Sequence, residues 1–169
     1  AVETLIPHKL SKNGPCIAIG DVNGDKMKDV FVGGAGGQAG QLYIQQKDAS
    51  FQLSSSQPWT SDRQSEDMDA LFFDIENDGD LDLFVGSRLV PGQYPRQSES
   101  LILRNEKTHF VSCGPDVAGG PLGAIGLVTD AVWTDFDNDD RLDLVIVSEW
   151  GRIEILKNTG DALANITDE

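Results

Sequence analysis

The chain contains the same acidic loop three times, each copy between two short apolar segments. The loops begin at Asp21, Asp74 and Asp135 and read DVNGDKMKD, DIENDGDLD and DFDNDDRLD. Oxygen-bearing side chains occupy loop positions 1, 3, 5 and 9 in every copy, and this spacing lets a short turn surround one hard cation. Turn formation explains the Asp, Asn and Gly content but does not require an acid at position 9. The repetition therefore predicts about three structural Ca²⁺ sites.

The predicted metal ligands follow from this shared register. Position 7 is held by Met27, Asp80 and Arg141. Because Met27 and Arg141 have no side-chain oxygen, we expect position 7 to bind through its backbone carbonyl. The other predicted ligands are Asp21, Asn23, Asp25 and Asp29 in the first loop, Asp74, Glu76, Asp78 and Asp82 in the second, and Asp135, Asp137, Asp139 and Asp143 in the third.

The residues around the loops decide which kind of calcium site is expected. An EF-hand has a helix on each side of its loop and a Glu at position 12, whereas this position holds Val32, Val85 and Ile146. The flanking segments are rich in β-branched and aromatic residues, so each loop is predicted to join two neighbouring strands. Four strands are predicted in each copy: 16–19, 29–32, 41–45 and 51–53; 70–73, 81–85, 100–103 and 109–112; 131–134, 142–147, 152–157 and 162–166.

Four short strands in each unit predict an all-β fold of the β-propeller type. We expect three four-stranded blades, with a calcium loop between the first two strands of each. They would form a single propeller-like domain over 1–169, with repeats at about 14–55, 66–113 and 127–168. The segments between them carry much Gly, Pro, Ser and Gln and are predicted to be surface loops, at 54–66, 88–99 and 114–126.

Three sets of residues carry a family resemblance: 20–25 with 29–34, 73–74 with 77–83, and 135–139 with 142–145. With these residues the units resemble FG-GAP repeats, also called VCBS repeats, which occur in integrin-α propellers and in many large secreted bacterial proteins. Segments 65–73 and 128–133 are similar, more narrowly, to bacterial VCBS proteins that often carry an ASPIC/UnbV region. The resemblance implies a calcium-stabilised propeller that serves as a scaffold or recognition surface, and it does not by itself imply catalysis. Lys26, Glu76 and Asp140 depart from the family pattern.

Three blades are too few to close a ring, because propellers close with about 4–8 blades. The ring is therefore expected to be incomplete within this chain, with two blade faces uncovered. Three arrangements are open: a fragment of a larger propeller, two or more chains completing one ring, or arcs stacked into an open filament. A possible strand at 2–6 could complete a blade in the same chain or in a neighbour. The expected partners are other propeller blades or further copies of the chain.

Charge and hydropathy narrow the functional class. The chain has 28 acidic and 13 basic residues, with a formal net charge of −15. Nucleic acid is not expected as a partner, because a phosphate backbone binds to a basic face. No apolar segment approaches the roughly 20 residues that span a membrane. Several weak calcium sites favour an extracellular or cell-surface location, where calcium modules work at about 10⁻⁴–10⁻³ M.

Catalytic constellations are not evident. His8 and His109 are the only histidines, and neither has a nucleophile or an acid at a recognisable catalytic spacing. The tryptophans could form a sugar platform. Trp133 is expected in the core, which leaves Trp59, in a Pro-rich loop, as the better candidate for an exposed contact. Cys16 and Cys113 either form a disulfide or pack as free thiols. We therefore do not expect an enzyme.

The sequence as a whole predicts a calcium-stabilised extracellular module with a structural or adhesive role. A protein or glycan ligand is possible for such a module. The alternative is a subunit of a filament or matrix, in which open blade edges and the N-terminal segment bind neighbouring copies. A third possibility is the non-catalytic part of a larger carbohydrate-active or receptor-like protein.

Overall fold

The computed structural model describes residues 15–113, 122, 125–160 and 162–167. These residues contain twelve β-strands and a short 3₁₀ turn at Pro58–Ser61. The strands are β1 Ile17–Gly20, β2 Asp29–Val32, β3 Gln41–Gln45, β4 Phe51–Leu53, β5 Asp67–Phe73, β6 Asp82–Ser87, β7 Leu101–Glu106, β8 His109–Ser112, β9 Leu127–Thr134, β10 Asp143–Glu149, β11 Glu154–Asn158 and β12 Leu163–Asn165.

The strands form three antiparallel sheets of four, each in sequence order. We call them blade 1 (β1–β4), blade 2 (β5–β8) and blade 3 (β9–β12). The prediction of an all-β fold with four-stranded, propeller-like blades is confirmed, and the described strands do not close a ring. Each acidic loop joins the first two strands of its blade. The predicted strand at 2–6 lies outside the described residues.

Strands β5 and β9 begin earlier than the sequence predicts. The prediction started β5 at Ala70, because Asp67 and Asp69 are polar and discourage a strand assignment. Both carboxylates instead accept hydrogen bonds from neighbouring blades, Asp67 from the Gly34 backbone N–H at 2.6 Å and Asp69 from the Ala131 backbone N–H at 2.7 Å. These two acids therefore join blade 2 to the blades on either side.

The apolar cores lie between blades. Side chains alternate between the two faces of a strand, so blade 2 contributes to both cores. Leu83 and Val85 pack in the first core with blade 1, whereas Phe84 packs in the second core with blade 3. The first core contains Ala18, Phe31, Leu42, Trp59, Leu103 and Phe110, and the second contains Phe73, Ile102, Val128, Leu144, Ile146, Leu156 and Leu163.

The first interblade segment is not simply a surface loop. Its 3₁₀ turn places Trp59 in the core, where 4% of the residue is exposed. The indole lies edge-on to Phe31, with ring centroids 5.2 Å apart, and 5.4 Å from Phe110. Gln57 fixes the turn to blade 2 by donating to the Thr108 carbonyl at 2.8 Å. Trp59, the candidate for an exposed contact, is therefore buried, because the turn fills a gap between two sheets.

The second interblade segment also begins in the interior. Arg88 is 2% exposed, and its guanidinium forms an ion pair with Glu149 of blade 3. Leu89 beside it is buried. The prediction of a surface loop therefore fails at its first two residues. Most of the third segment lies outside the described residues, but Ile125 near its end packs in the second core.

The remaining tryptophans and the cysteines lie in separate places. Trp133 stacks on Phe73 with ring centroids 3.6 Å apart, in agreement with a core position. Trp150 is 86% exposed, so the three indoles do not form a platform. Cys16 packs against the first core and Cys113 against the second, and both are free thiols. No helix in the described residues is long and apolar enough to cross a membrane.

Candidate metal centre

The position-1 aspartate organises each acidic loop through backbone amides. Asp21 accepts from the N–H of Lys26 at 2.7 Å, Asp74 from Gly79 at 2.8 Å, and Asp135 from Asp140 at 3.1 Å. These donors all stand at loop position 6. The second oxygen accepts from the N–H at position 5 in every loop, at 3.0–3.1 Å. The three loops therefore share one backbone conformation.

Two residues in each loop adopt the left-handed backbone region that folds the chain around its first aspartate. Position 6 has φ of 70° at Lys26, 94° at Gly79 and 65° at Asp140. Position 4 is also left-handed, at Gly24, Asn77 and Asn138. This region is strained for residues with a Cβ atom. The departures from the family pattern at Lys26 and Asp140 are therefore located at strained positions.

The position-9 aspartate joins its loop to the third strand of the blade. Asp29, Asp82 and Asp143 are buried. One oxygen of each accepts from the backbone N–H at loop position 2, at 3.0–3.2 Å, and the other accepts from a β3, β7 or β11 residue at 2.8 Å. This double role explains why an acid recurs at position 9, where turn formation does not require one.

The third loop brings its carboxylates together. One oxygen from each of Asp135, Asp137 and Asp143 lies within 4.8 Å of the others. Oxygen ligands bind Ca²⁺ at 2.3–2.6 Å, so ligands on opposite sides of the ion are separated by about 4.6–5.2 Å. The donor set and its spacing in the third loop therefore fit a calcium ion. No other such cluster of three acids, cysteines or histidines occurs among the described residues.

Basic residues lie beside two of the loops, and sequence analysis did not identify them. Lys157 on β11 forms ion pairs with Asp137 and, at 3.2 Å, with Asp139. Arg104 on β7 forms an ion pair with Glu76. Both cations therefore contact the acid at loop position 3. These contacts raise the pKa of Lys157, chiefly through Asp137, and the Lys157 hydrogen bond lowers the pKa of Asp139.

The first loop has no basic residue at the corresponding strand position. In each blade, one residue of the third strand donates its backbone N–H to the position-9 aspartate: Gln45, Asn105 or Asn158. The residue before it is Arg104 in blade 2 and Lys157 in blade 3, but Ile44 in blade 1. Position 3 of that loop is the neutral Asn23, whose amide donates to Asp25 at 3.0 Å. Blades 2 and 3 thus combine an acid at loop position 3 with a basic residue on the third strand. Blade 1 has a neutral residue at both places.

Burial opposes the negative charge of the position-9 acids. It raises the pKa of Asp29, and it raises the pKa of Asp82 to about 7, although backbone hydrogen bonds to both groups act in the opposite direction. A bound cation would favour the ionised form of such carboxyls. The remaining predicted ligands at position 7 differ in environment: Asp80 and Arg141 are exposed and Met27 is half-buried. Their role as carbonyl ligands stays a prediction.

The comparison with known families agrees with the repeat pattern. Residues 21–85 match the model of a family described as FG-GAP-like repeat. The matched segment contains the first two acidic loops and the whole connection between them. No curated protein matches the chain. The narrower similarity to bacterial VCBS proteins with an ASPIC/UnbV region stays a prediction.

Proposed function

Because this chain carries FG-GAP-like repeat sequence, we propose that it is a calcium-stabilised, extracellular structural and adhesive module without catalytic activity. The observation that carries the proposal is the loop geometry, which recurs three times with the same hydrogen bonds from positions 1 and 9. FG-GAP repeats generally bind calcium and are typically found outside the cell, which supports the proposal. The convergence of Asp135, Asp137 and Asp143 supports the same reading.

The proposed role of calcium is structural. In each loop, carboxylates at positions 1, 5 and 9 repel one another, and the ion would offset that repulsion. Positions 1, 3, 5 and 9 would hold the ion, with the position-7 carbonyl as a further ligand. Position 9 is hydrogen-bonded to the third strand, so calcium at the loop would hold three strands of the blade together. Binding energy would then appear as stability of the folded chain.

Thermal unfolding with calcium and with chelator tests this role. We expect Asp139→Asn to lower the melting temperature in calcium and to have a smaller effect in chelator, because its main loss is a ligand. Glu99→Gln is the matched control, since it removes one exposed charge outside the loops. Equal losses for Asp139→Asn in both conditions would overturn the calcium assignment. A direct count of bound calcium by mass spectrometry under native conditions should give about three ions per chain.

The extracellular assignment is supported by the weak binding expected of these loops. Sites in the 10⁻⁴–10⁻³ M range fill outside cells, where calcium is abundant, and stay empty at cytosolic levels. Calorimetric titration of the purified chain tests this. Dissociation constants in or near that range would support an extracellular role, whereas constants of about 10⁻⁷ M would favour a cytosolic one.

The adhesive part of the proposal needs an exposed recognition surface. Trp150 is the most exposed large apolar residue of the described chain, and exposed aromatic rings often contribute to ligand contacts. Its indole N–H donates to Glu149 at 3.2 Å, which orients the ring. A glycan and protein binding screen should lose its signal with Trp150→Ala and keep it with Ile153→Ala, a nearby exposed aliphatic control. Equal binding by both variants would place the contact elsewhere.

A further inference from the structure

The two interfaces between blades are built by the same rule. Equivalent positions in the blades are set by Asp29, Asp82 and Asp143, which make the same hydrogen bonds. We call the face of a blade that packs on the following blade its exit face, and the opposite face its entry face. The exit face of blade 1 includes Ala18, Val22, Phe31 and Leu42, and the entry face of blade 2 includes Ala70, Leu83, Val85, Leu103 and Phe110. Blade 2 meets blade 3 through the equivalent positions.

An asparagine fixes each of these interfaces. Asn105 of blade 2 donates from Nδ2 to the carbonyl of Val22 at 2.7 Å. Asn158 of blade 3 donates in the same way to the carbonyl of Ile75 at 3.1 Å. Val22 and Ile75 both stand at loop position 2, and both are buried. The interface thus pairs a loop carbonyl on an exit face with a side-chain amide on the next entry face.

Blade 1 carries a complete entry face with no blade before it in the described chain. Gln45 of blade 1 is equivalent to Asn105 and Asn158. Each of the three donates its backbone N–H to the position-9 aspartate of its own blade. The side-chain oxygen of Gln45 accepts from Lys28 at 3.1 Å, which leaves its amide nitrogen as a donor. The apolar positions around it are Ile17, which is 60% exposed, Ile19, which is 64% exposed, and Val30, Val32, Tyr43 and Phe51.

Blade 3 carries the complementary exit face. Phe136 stands at loop position 2, where Val22 and Ile75 are buried by the following blade, but Phe136 is 42% exposed. Val132 and Val147 on the same face are also exposed. Burial of such side chains against another blade would stabilise the contact. Exposed apolar residues arranged as a continuous face mark an interaction surface.

We propose that the occupant of each face is a second copy of this chain. The entry face of one copy packs on the exit face of the other, and the Gln45 amide of one copy donates to the Phe136 carbonyl of its partner copy. Such an interface is heterologous, because the two surfaces differ, and it closes only if the rotation between blades allows it. Two copies supply six blades, which is within the range of closed propellers.

This dimer rests on the blade architecture and not on the calcium assignment. Neither face includes a carboxylate of the acidic loops. A second copy is favoured as occupant because the chain itself carries both halves of the interface, an amide donor on blade 1 and a position-2 carbonyl on blade 3. In a ring of six blades, the entry face of blade 1 and the exit face of blade 3 are covered in both copies.

Light scattering coupled to size exclusion tests the proposal on the 169-residue chain. We expect a mass of twice 18.3 kDa in calcium. Ile19→Asp damages the entry face and Val132→Asp damages the exit face. Both side chains are exposed in a single copy, so each variant should fold and run as a monomer. Lys47→Asp, in the exposed β3–β4 turn, is a control that should leave the dimer intact.

Mixing the two damaged variants identifies the geometry. The Ile19→Asp variant keeps its exit face and the Val132→Asp variant keeps its entry face, so the mixture should form a dimer through one intact interface. If two copies instead paired through like faces, mixing the two variants would not restore a dimer. The proposal is overturned by a monomeric wild-type chain, by a polymer in place of a dimer, or by no rescue in the mixture. Melting temperatures in calcium and chelator, measured on the same samples, report the calcium role separately.

Discussion

Arg88 and Glu149 form an ion pair that links the end of β6 in blade 2 with the end of β10 in blade 3. The guanidinium is buried, whereas the carboxylate is partly exposed. The Arg88 hydrogen bond lowers the pKa of Glu149. Glu66 is the second acid near Arg88, with 3.8 Å between Nη1 and Oε2. The charge of Arg88 therefore depends mainly on Glu149 for its compensation.

We expect Glu149→Gln to lower the free energy of unfolding by about 1–3 kcal/mol, because it leaves a buried cation with one distant partner. Urea unfolding measures the change. The double variant Arg88→Met, Glu149→Gln removes the stranded charge and should recover part of the loss. The account would be contradicted if the double variant lost more free energy of unfolding than the two single variants lose together.

Replacement of Lys157 should tighten calcium binding at the third loop. In the ion-free loop its ammonium pairs with Asp137 and Asp139, and calcium would have to displace it. We expect Lys157→Met to raise calcium affinity roughly two- to fivefold, as expected for an exposed ion pair, and to lower the melting temperature in chelator. Calorimetry measures the affinity.

Two variants serve as comparisons for Lys157→Met. Arg104→Met should have the same effect at the second loop, through Glu76. Lys47→Met removes a positive charge of the β3–β4 turn, and its effect should be small. A similar gain in affinity for Lys47→Met would show that net charge, and not the local ion pair, controls binding.

Lys26→Gly should stabilise the chain. Lys26 has φ of 70°, a conformation that costs roughly 1–2 kcal/mol for a residue with a Cβ atom, partly offset by the larger unfolded-state entropy of glycine. We expect a gain of about 0.5–1 kcal/mol in urea unfolding. The reverse change at the equivalent position, Gly79→Ala, should destabilise. Stabilisation by both would refute the assignment of backbone strain at position 6.

Without calcium, stability should fall as the pH rises from about 5.5 to 8. Burial raises the pKa of Asp82 to about 7 and raises that of Asp29, Asp67 and Asp69. A group with a raised pKa in the folded state binds its proton more tightly there, so its stabilisation is present at low pH and is lost as the pH passes the folded pKa. The loss for Asp82 is on the order of 2 kcal/mol across this interval.

Saturating calcium should reduce this pH dependence. The ion would favour the ionised form of Asp29 and Asp82, which are predicted ligands, but not that of Asp67 and Asp69. Melting temperatures across the pH interval, with calcium and with chelator, give the two slopes. Parallel curves would argue against calcium at the first two loops.

Local sequence patterns predicted much of the fold because the relevant signals are short-range. Short runs that contain β-branched, aromatic and other apolar residues predicted β2, β3, β4 and β8 with the bounds that the structure has. The shared spacing of the three loops predicted a specific role for Asp29, Asp82 and Asp143, because turn formation alone does not require an acid at position 9. The burial of Trp59 could not be predicted, because the Pro and Ser content of its loop carries no information about the gap between the sheets that the loop fills.

Other features depend on strand register across a blade, which the sequence does not state. Lys157 and Arg104 reach the acid at loop position 3 only because β11 and β7 lie beside the loops. An alignment of the three third strands on Gln45, Asn105 and Asn158 would have placed Arg104 and Lys157 at one position, together with Ile44. The next residue of the second and third blades is the asparagine whose amide joins its blade to the preceding one.

The interface rule has a consequence for how such chains can grow. Each blade has a side-chain amide at the same position of its third strand and a carbonyl at loop position 2, and the two observed junctions use these groups. A copied blade would therefore find a matching neighbour wherever it was inserted. A gene duplication that adds one unit would therefore need no new contact surface. The limit on the number of units would be set by the curvature of the ring and not by the chemistry of the junction.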